Sequence, residues 1–177
     1  MLTPGVLIIF LSAVWYMCLQ KEVPPGGPNT AAVAAILRGG KLLVIKRAER
    51  PGDPWSGQIG FPGGHWEPGD ADLRKTVIRE AREEVGVDLE EAELLGALGP
   101  DSPMNAPTLK VYSFVFRADA MGEEVRPGEE VAAARWISRL DLAEAAFRGR
   151  PAFSAGGWII WGLTYRFIKR LIDCGLF

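Results

Sequence analysis

The chain has few of the residues that build common metal and redox sites. Its 177 residues include two cysteines, Cys18 and Cys174, and one histidine, His65. Because there is no C-x-x-C spacing and no histidine cluster, a zinc site is excluded, and two distant cysteines are expected to be reduced thiols. The net charge of −2 argues neither for nor against nucleic-acid binding. No basic run or aromatic-interleaved patch is present, so no nucleic-acid partner is expected.

Long apolar runs are also scarce, and the strongest one lies at the N-terminus. Residues 1–20 contain no charged side chain, and residues 6–19 are nearly all apolar. A membrane span needs roughly 20 such residues, and the run lacks the basic start and cleavage site of a signal peptide. Three interpretations stay open: a weak membrane anchor, a segment that packs on the domain, or a start-site artefact. Lys21 and Arg38 follow the run, so an anchor would leave the domain cytoplasmic, at the inner face of the membrane. Under all three interpretations, residues 1–20 are expected to be dispensable for chemistry.

The remaining chain has the length and the 48% hydrophobic content of one well-buried domain. Residues 21–29 are rich in proline and glycine and predict a linker, which leaves a domain at 30–177. Strands are predicted at 31–37, 41–46, 58–61, 94–98, 108–116 and 131–137, the first two joined by a Gly39-Gly40 hairpin. Helices are predicted from Asp141 to residue 147 and over 155–172, the latter with Trp158, Trp161, Tyr165 and Ile168 in the core. This order predicts a mixed α/β domain.

Three carboxylates within one short segment are the most informative feature of the chain. Glu80, Glu83 and Glu84 occupy positions i, i+3 and i+4 of a predicted helix and therefore share one face. Like charges so placed repel each other, and a hard divalent cation favours oxygens of this kind. A solvated helix with salt bridges along it is the plain alternative.

The residues around these glutamates favour the cation. A loop dense in glycine and proline, residues 61–70, precedes the helix, and Asp70 or Asp72 can cap its first turn. Gly86 is placed to end it. A Gly-Gly loop, a cap, Arg-Glu, Glu-Glu and a terminal glycine form a far more specific pattern than glutamates alone.

Residues 64–87 resemble the Nudix box, in which a Gly, five residues, an acid, seven residues and Arg-Glu-apolar-any-Glu-Glu-any-Gly-apolar recur. The chain departs from it in two places: the acid is Asp70 instead of Glu, and eight residues precede Arg79 instead of seven. Both departures resemble a Nudix subgroup that hydrolyses coenzyme A. The resemblance implies a Nudix-like α/β/α sandwich with a mixed sheet, and a hydrolase that uses magnesium (Mg²⁺) or manganese (Mn²⁺) to cleave a small-molecule pyrophosphate.

The upstream signature of that subgroup, Leu-Leu-Thr-any-Arg-Ser and then Gly-x-x-x-Phe-Pro-Gly-Gly, is approximated by residues 43–48 and 57–64, and its C-terminal helix by 157–164. Ile45 and Ala48 replace its hydroxyl residues. The leading hypothesis is cleavage of coenzyme A or acyl-coenzyme A to 3′,5′-ADP and 4′-phosphopantetheine. ADP-ribose, dinucleoside polyphosphates and nucleoside triphosphates are the alternative substrates. A nucleotide-binding sensor without catalysis is the rival class, and the oligomeric state stays open.

The resemblance and the chemistry of the residues together indicate a set of site residues. The catalytic set is Arg79, Glu80, Glu83, Glu84 and Glu130, and the metal ligands are Gly64 through its carbonyl with Glu80, Glu83 and Glu84. The substrate-binding set is Arg47, Arg50, Gly63, Gly64 and His65. The guanidinium of Arg47 or Arg50 could bind a 3′-phosphate or the pyrophosphate, because it can bind phosphate bidentately. Plain alternatives are a solvated turn for Glu130, surface salt bridges for Arg47 and Arg50, and an incidental loop position for His65.

Overall fold

The computed structural model describes residues 18–177, which form two sheets with helices packed on them. The large sheet contains β1 (Thr30–Arg38), β2 (Lys41–Arg47), β3 (Ile59–Gly60), β4 (Gly63–His65), β5 (Glu93–Asp101), β6 (Lys110–Arg117) and β7 (Val131–Ser138). The small sheet contains β8 (Ala143–Phe147), β9 (Arg150–Ala155) and β10 (Trp158–Trp161). The α-helices are α1 (Leu73–Val85) and α2 (Gly162–Asp173), and Leu89–Glu91 and Arg139–Asp141 form short 3₁₀ turns.

The large sheet is mixed because β1 pairs in parallel with β6 and antiparallel with β2 and β4. Small apolar side chains on β1 let layers pack on both of its faces. Ala32 and Ala34 belong to the core on the α1 side, whereas Ala31 and Ala35 belong to the core on the α2 side. The result is a three-layer α/β/α arrangement, as the resemblance implied.

Helix α1 has the ends that its sequence predicts. The side chain of Asp72 accepts a hydrogen bond from Lys75 N at 2.8 Å, which caps the first turn. Gly86 takes a left-handed conformation, with φ 68°, and ends the helix. Val77 and Ala81 are fully buried against the sheet. This anchoring holds the acidic face of α1 in a fixed position beside β4.

The C-terminal region differs from its prediction. The predicted helix at 155–172 begins only at Gly162, because residues 158–161 form β10. Gly156 and Gly157, with φ of 53° and 82°, make the tight turn that lets β10 fold back on β9. Trp158 and Trp161 therefore lie on a strand, half-buried, while Tyr165 and Ile168 lie on α2 as expected.

A second correction concerns residues 141–147. Asp141 is the last residue of a single 3₁₀ turn whose N-cap is Ser138, and its carboxylate accepts from Ser138 N at 2.6 Å. The residues that follow form β8 instead of a helix. Pairing between β8 and β9 supplies backbone hydrogen bonds that override the weak local signal.

The end of the N-terminal apolar run packs on the domain. Leu19 is 5% exposed in the core on the α2 side, and Gln20 exchanges backbone hydrogen bonds with Ala97 of β5 at 2.8 and 2.9 Å. Cys18 forms a disulfide with Cys174, which corrects the expectation of free thiols. Within residues 18–177, no helix is long and apolar enough to cross a bilayer. The predicted anchor falls mainly on residues 1–17, which lie outside the described residues, so both the anchor and a cytoplasmic location stay predictions.

Candidate active site

A cleft of about 1080 Å³ lies where β4, α1 and the small sheet meet. Every residue predicted for the site lines this cleft except Arg50, whose guanidinium nevertheless reaches Glu130 at the rim. The lining residues from that set are Arg47, Gly63, Gly64, His65, Arg79, Glu80, Glu83, Glu84 and Glu130. Side chains separated by more than 80 positions in the sequence are thus brought to one surface.

Arg79 joins the acid of the loop to the acids of the helix. Its Nε and Nη2 donate to the two carboxylate oxygens of Asp70 at 3.1 and 3.0 Å, a bidentate pair. Its Nη1 donates to Glu80 Oε1 at 3.0 Å and to Glu83 Oε2 at 3.4 Å. These hydrogen bonds from Arg79 lower the pKa of the Asp70 carboxyl and raise the pKa of Arg79 itself. Arg79 therefore stays charged and fixes the direction of two glutamates.

Asp70 is a functional residue whose role the sequence did not reveal. Its Oδ2 accepts from Thr76 Oγ1 at 2.9 Å and from Glu67 N at 3.1 Å, in addition to Arg79. Thr76 is fully buried in α1. Asp70 is thus held by the helix and by its own loop, so it positions Arg79. Its place as the acid of the box is the signal that could have indicated this role.

Glu84 is a buried carboxylate, with 3% of its surface exposed. Its Oε2 accepts from Gly63 N at 2.8 Å, and its Oε1 lies 3.5 Å from Arg47 Nη1. Burial raises the pKa of Glu84 to about 7, with the charges of Glu80 and Glu130 adding to the increase and the hydrogen bond from Gly63 opposing it. Because ionising Glu84 is unfavourable in this buried position, a bound cation would stabilise its charged form.

Glu80 lies in the same crowded group of charges. Burial raises the pKa of Glu80, and the charges of Glu83 and Glu130 raise it further, while Arg79 lowers it. Oxygen donors gathered on a rigid helix fit a hard divalent ion such as Mg²⁺. Within residues 18–177 no three acidic, histidine or cysteine side chains converge as a finished metal cage. Arg79 and Arg47 hold these carboxylates instead, and a bound cation would take over part of that role.

Gly64 leaves room for a carboxylate. A Cβ built on Gly64 would collide with the carboxylate end of Glu80, so a larger residue between β4 and α1 would push that carboxylate out of its position. The close approach explains why the loop ends in paired glycines, because a side chain here would displace one of the candidate cation ligands.

The register of β4 distinguishes the carbonyls of the two glycines. Ala34 N donates to Pro62 O at 2.7 Å, and the antiparallel ladder pairs Ala32 with Gly64. Because alternate pairs in such a ladder exchange hydrogen bonds, Gly64 bonds to β1 while Gly63 directs its polar groups away from it. The carbonyl of Gly63 is therefore available to a cation, whereas the carbonyl of Gly64, the predicted ligand, is hydrogen-bonded to β1.

The predicted substrate-binding side chains make ion pairs at the edge of the acidic group. Arg47 Nη2 lies 3.6 Å from Asp53 in addition to its contact with Glu84, and Arg50 Nη1 donates to Glu130 Oε1 at 2.8 Å. These contacts are the salt-bridge alternative, although two of the acidic partners, Glu84 and Glu130, belong to the site. The ring centroid of His65 lies 6.1 Å from that of Trp55 in the cleft wall.

Comparison with known proteins agrees with this geometry. The NUDIX domain family matches residues 28–155. The chain is 32% identical over 120 residues to the ADP-ribose pyrophosphatase of Methanocaldococcus jannaschii, covering 68% of each protein. It is 30% identical over 138 residues to the human mitochondrial coenzyme A diphosphatase NUDT8, covering 70% of this chain and 58% of that protein.

Among solved structures, a MutT NUDIX hydrolase from Burkholderia pseudomallei aligns with a TM-score of 0.51 and 31% identity, covering 69% of this chain and 92% of that one. The region that the NUDIX domain family matches, residues 28–155, contains the mixed sheet, α1 and the acidic side of the cleft. The chain belongs to the Nudix family of pyrophosphohydrolases.

Proposed function

We propose that the protein is a divalent-metal-dependent pyrophosphohydrolase that cleaves coenzyme A or an acyl derivative at its pyrophosphate. The observation that carries the metal-dependent hydrolysis is the group of four glutamates, Glu80, Glu83, Glu84 and Glu130, facing one cleft with mutually unfavourable charges. A divalent cation held by these carboxylates would neutralise their charges and those of the substrate's phosphates.

Glu80, Glu83 and Glu84 would hold Mg²⁺ or Mn²⁺, with the carbonyl of Gly63 or Gly64 as a further ligand. Such an ion supplies charge neutralisation for the phosphates and a lowered pKa for a bound water. Arg79 keeps Glu80 and Glu83 aimed at the cleft, and Gly63 N–H does the same for Glu84. Fixed orientation of this kind is the main protein contribution to phosphoryl transfer.

Glu130 is the proposed extra carboxylate, placed at the start of β7 across from the helix. Its carboxylate accepts a hydrogen bond from Arg50, and half of its side chain is exposed, so it can accept a proton from water and release it to solvent. Water adds to one phosphorus, the bridging P–O bond breaks, and the products from coenzyme A are 3′,5′-ADP and 4′-phosphopantetheine.

The substrate assignment is supported by the subgroup-like departures at Asp70 and in the spacing before Arg79, together with the similarity to coenzyme A diphosphatases. ADP-ribose is the second candidate, because an ADP-ribose pyrophosphatase is similar at the same level. Dinucleoside polyphosphates and nucleoside triphosphates have less support.

The test is a substrate comparison with Mg²⁺, scored by product mass, on coenzyme A, ADP-ribose, a dinucleoside tetraphosphate and a nucleoside triphosphate. We expect the highest kcat/KM for coenzyme A and no turnover after chelation. Glu83→Gln, at a half-exposed position, should remove activity without unfolding the protein. Full turnover without metal would refute the mechanism, a preference for ADP-ribose would reassign the substrate, and binding without turnover would favour the sensor.

A further inference from the structure

The cleft continues from the acids to an aromatic surface on the small sheet. Phe147 at the end of β8 and Trp161 at the end of β10 have ring centroids 5.1 Å apart, and both line the cleft. The guanidinium of Arg148 lies 5.1 Å from the Phe147 ring centroid and lines the same wall. The Arg148 guanidinium, which lies beside the Phe147 ring, therefore faces the same cleft as the acids.

Arg148 occupies a backbone conformation that its residue type disfavours. In the turn between β8 and β9, Arg148 has φ 51° and Gly149 has φ 73°. Such two-residue turns favour Asn or Gly at the first position. Within residues 18–177, Arg148 is the one non-glycine residue with positive φ. Strained conformations of this kind concentrate at functional sites.

Arg148 also differs from the other arginines of the cleft in its charge environment. Arg47 and Arg79 are paired with acids of the site. Among the residues that the structure describes, Arg148 has no carboxylate within 4.0 Å, the limit for an ion pair, and Lys46 shares that property. Lys46 lies on β2 next to Arg47, beside the acids, whereas Arg148 lies on the separate aromatic wall.

We propose that Arg148 binds a phosphate on the ribose of the substrate's nucleotide half, with the base packed against the aromatic wall that Phe147 and Trp161 form together. The proposal rests on the proposed function, and it assigns to Arg148 the 3′-phosphate contact that the sequence suggested for Arg47 or Arg50. Guanidinium groups bind phosphate bidentately, and aromatic side chains stack on any nucleobase. Coenzyme A has this phosphate, and ADP-ribose does not.

The test measures binding of 3′,5′-ADP and of 5′-AMP to the full chain by calorimetry, since neither compound has a pyrophosphate to cleave. We expect the wild-type protein to bind 3′,5′-ADP about tenfold or more tightly than 5′-AMP, because the extra phosphate adds a charge-assisted contact. The measured quantity is the ratio of these two affinities. In Arg148→Asn this ratio should fall to about one, while Tm stays equal or rises because Asn tolerates the turn conformation.

Arg150→Ala is the matched control, because Arg150 lies across the same turn but outside the cleft, with its Nη1 2.6 Å from the sulfur of Met104. This variant should keep the ratio. Phe147→Leu should weaken both nucleotides in parallel. A ratio that survives Arg148→Asn, or that is removed by Lys46→Ala instead, would overturn the proposal.

The two proposals fail in different ways. If coenzyme A is hydrolysed but the ratio does not depend on Arg148, the phosphate subsite is wrong and the proposed function stands. If the ratio depends on Arg148 but coenzyme A is not hydrolysed, the subsite stands and the substrate assignment is wrong.

Discussion

Glu84 shows how one buried side chain makes stability depend on pH. Its pKa is raised from 4.5 to about 7, chiefly by burial, so the folded chain binds this proton more tightly than the unfolded chain. Stability of the metal-free protein therefore falls as pH rises from about 4.5 to about 7, and remains low above that range. The loss for this one group is on the order of 3 kcal/mol.

We expect Glu84→Gln to remove this pH dependence, because the amide keeps an oxygen for Gly63 N–H but carries no charge. The measurement is Tm in chelator between about pH 5 and about pH 8. The variant should be the more stable protein at the alkaline end and should be inactive with metal. Parallel Tm curves for the variant and the wild-type protein would contradict this account.

Asp70 lends itself to a second prediction. Asp70→Asn removes the bidentate partner of Arg79 and should lower kcat at least about tenfold, with stability reduced by about 1 to 2 kcal/mol. Because hydrogen bonds from Arg79 lower the pKa of Asp70, its contribution to stability is present above the unfolded-state pKa and is lost as pH falls through the lower folded-state value.

The matched control is Asp72→Asn, which removes a charge two residues away but keeps an equivalent N-cap for α1. Its kcat and Tm should stay close to those of the wild-type protein. Equal effects of the two substitutions would mean that net charge, and not the contact with Arg79, is responsible.

At the scale of elements, the close contact between β4 and α1 positions the acids. Gly64→Ala places a methyl group against the Glu80 carboxylate and should lower kcat/KM by about a hundredfold, since small displacements in a positioned site have effects of this size. Gly69→Ala is the control, because a Cβ there meets nothing within 4 Å. Circular dichroism should show both variants folded. Normal activity in Gly64→Ala would show that Glu80 is not held where the contact places it.

At the scale of the whole molecule, the two ends of the described chain are joined. Cys18 and Cys174 are separated by 156 positions, and Leu19 is buried beside them. A chain shortened to begin at Thr30 should keep its chemistry but lose roughly 3.5 to 7 kcal/mol of stability, from about 2 to 4 for the disulfide and about 1.5 to 3 for the Leu19 side chain. Cys174→Ser should lose only the share of this stability that comes from the disulfide.

The measurement is denaturant unfolding of the wild-type protein with and without reductant, alongside both variants, with activity assayed per folded molecule. A non-reducing mass analysis establishes whether the bond has formed, which depends on the redox compartment. Identical unfolding midpoints for the shortened and full chains would contradict the predicted loss of stability.

The sequence by itself determined the features that depend on neighbouring residues. The caps and length of α1, the Gly39-Gly40 hairpin and most strands of the large sheet follow from local periodicity and turn chemistry, whereas β4 formed inside the segment predicted as a loop, residues 61–70. The acidic face of α1 and the family resemblance come from one continuous stretch of residues. The N-cap, helix period and C-cap act within a few positions of each other, so they can be recognised without a fold.

The tertiary structure alone decided the features that depend on distant partners. The conversion of 158–161 from predicted helix to β10 required β9, and the raised pKa of Glu84 required burial by β4 together with the charges of Glu80 and Glu130. Pairing of Cys18 with Cys174 and the meeting of Arg148 with the acidic cleft have no local signature. Burial, electrostatics and strand pairing are properties of the assembled chain, because each depends on which distant segments exclude water together.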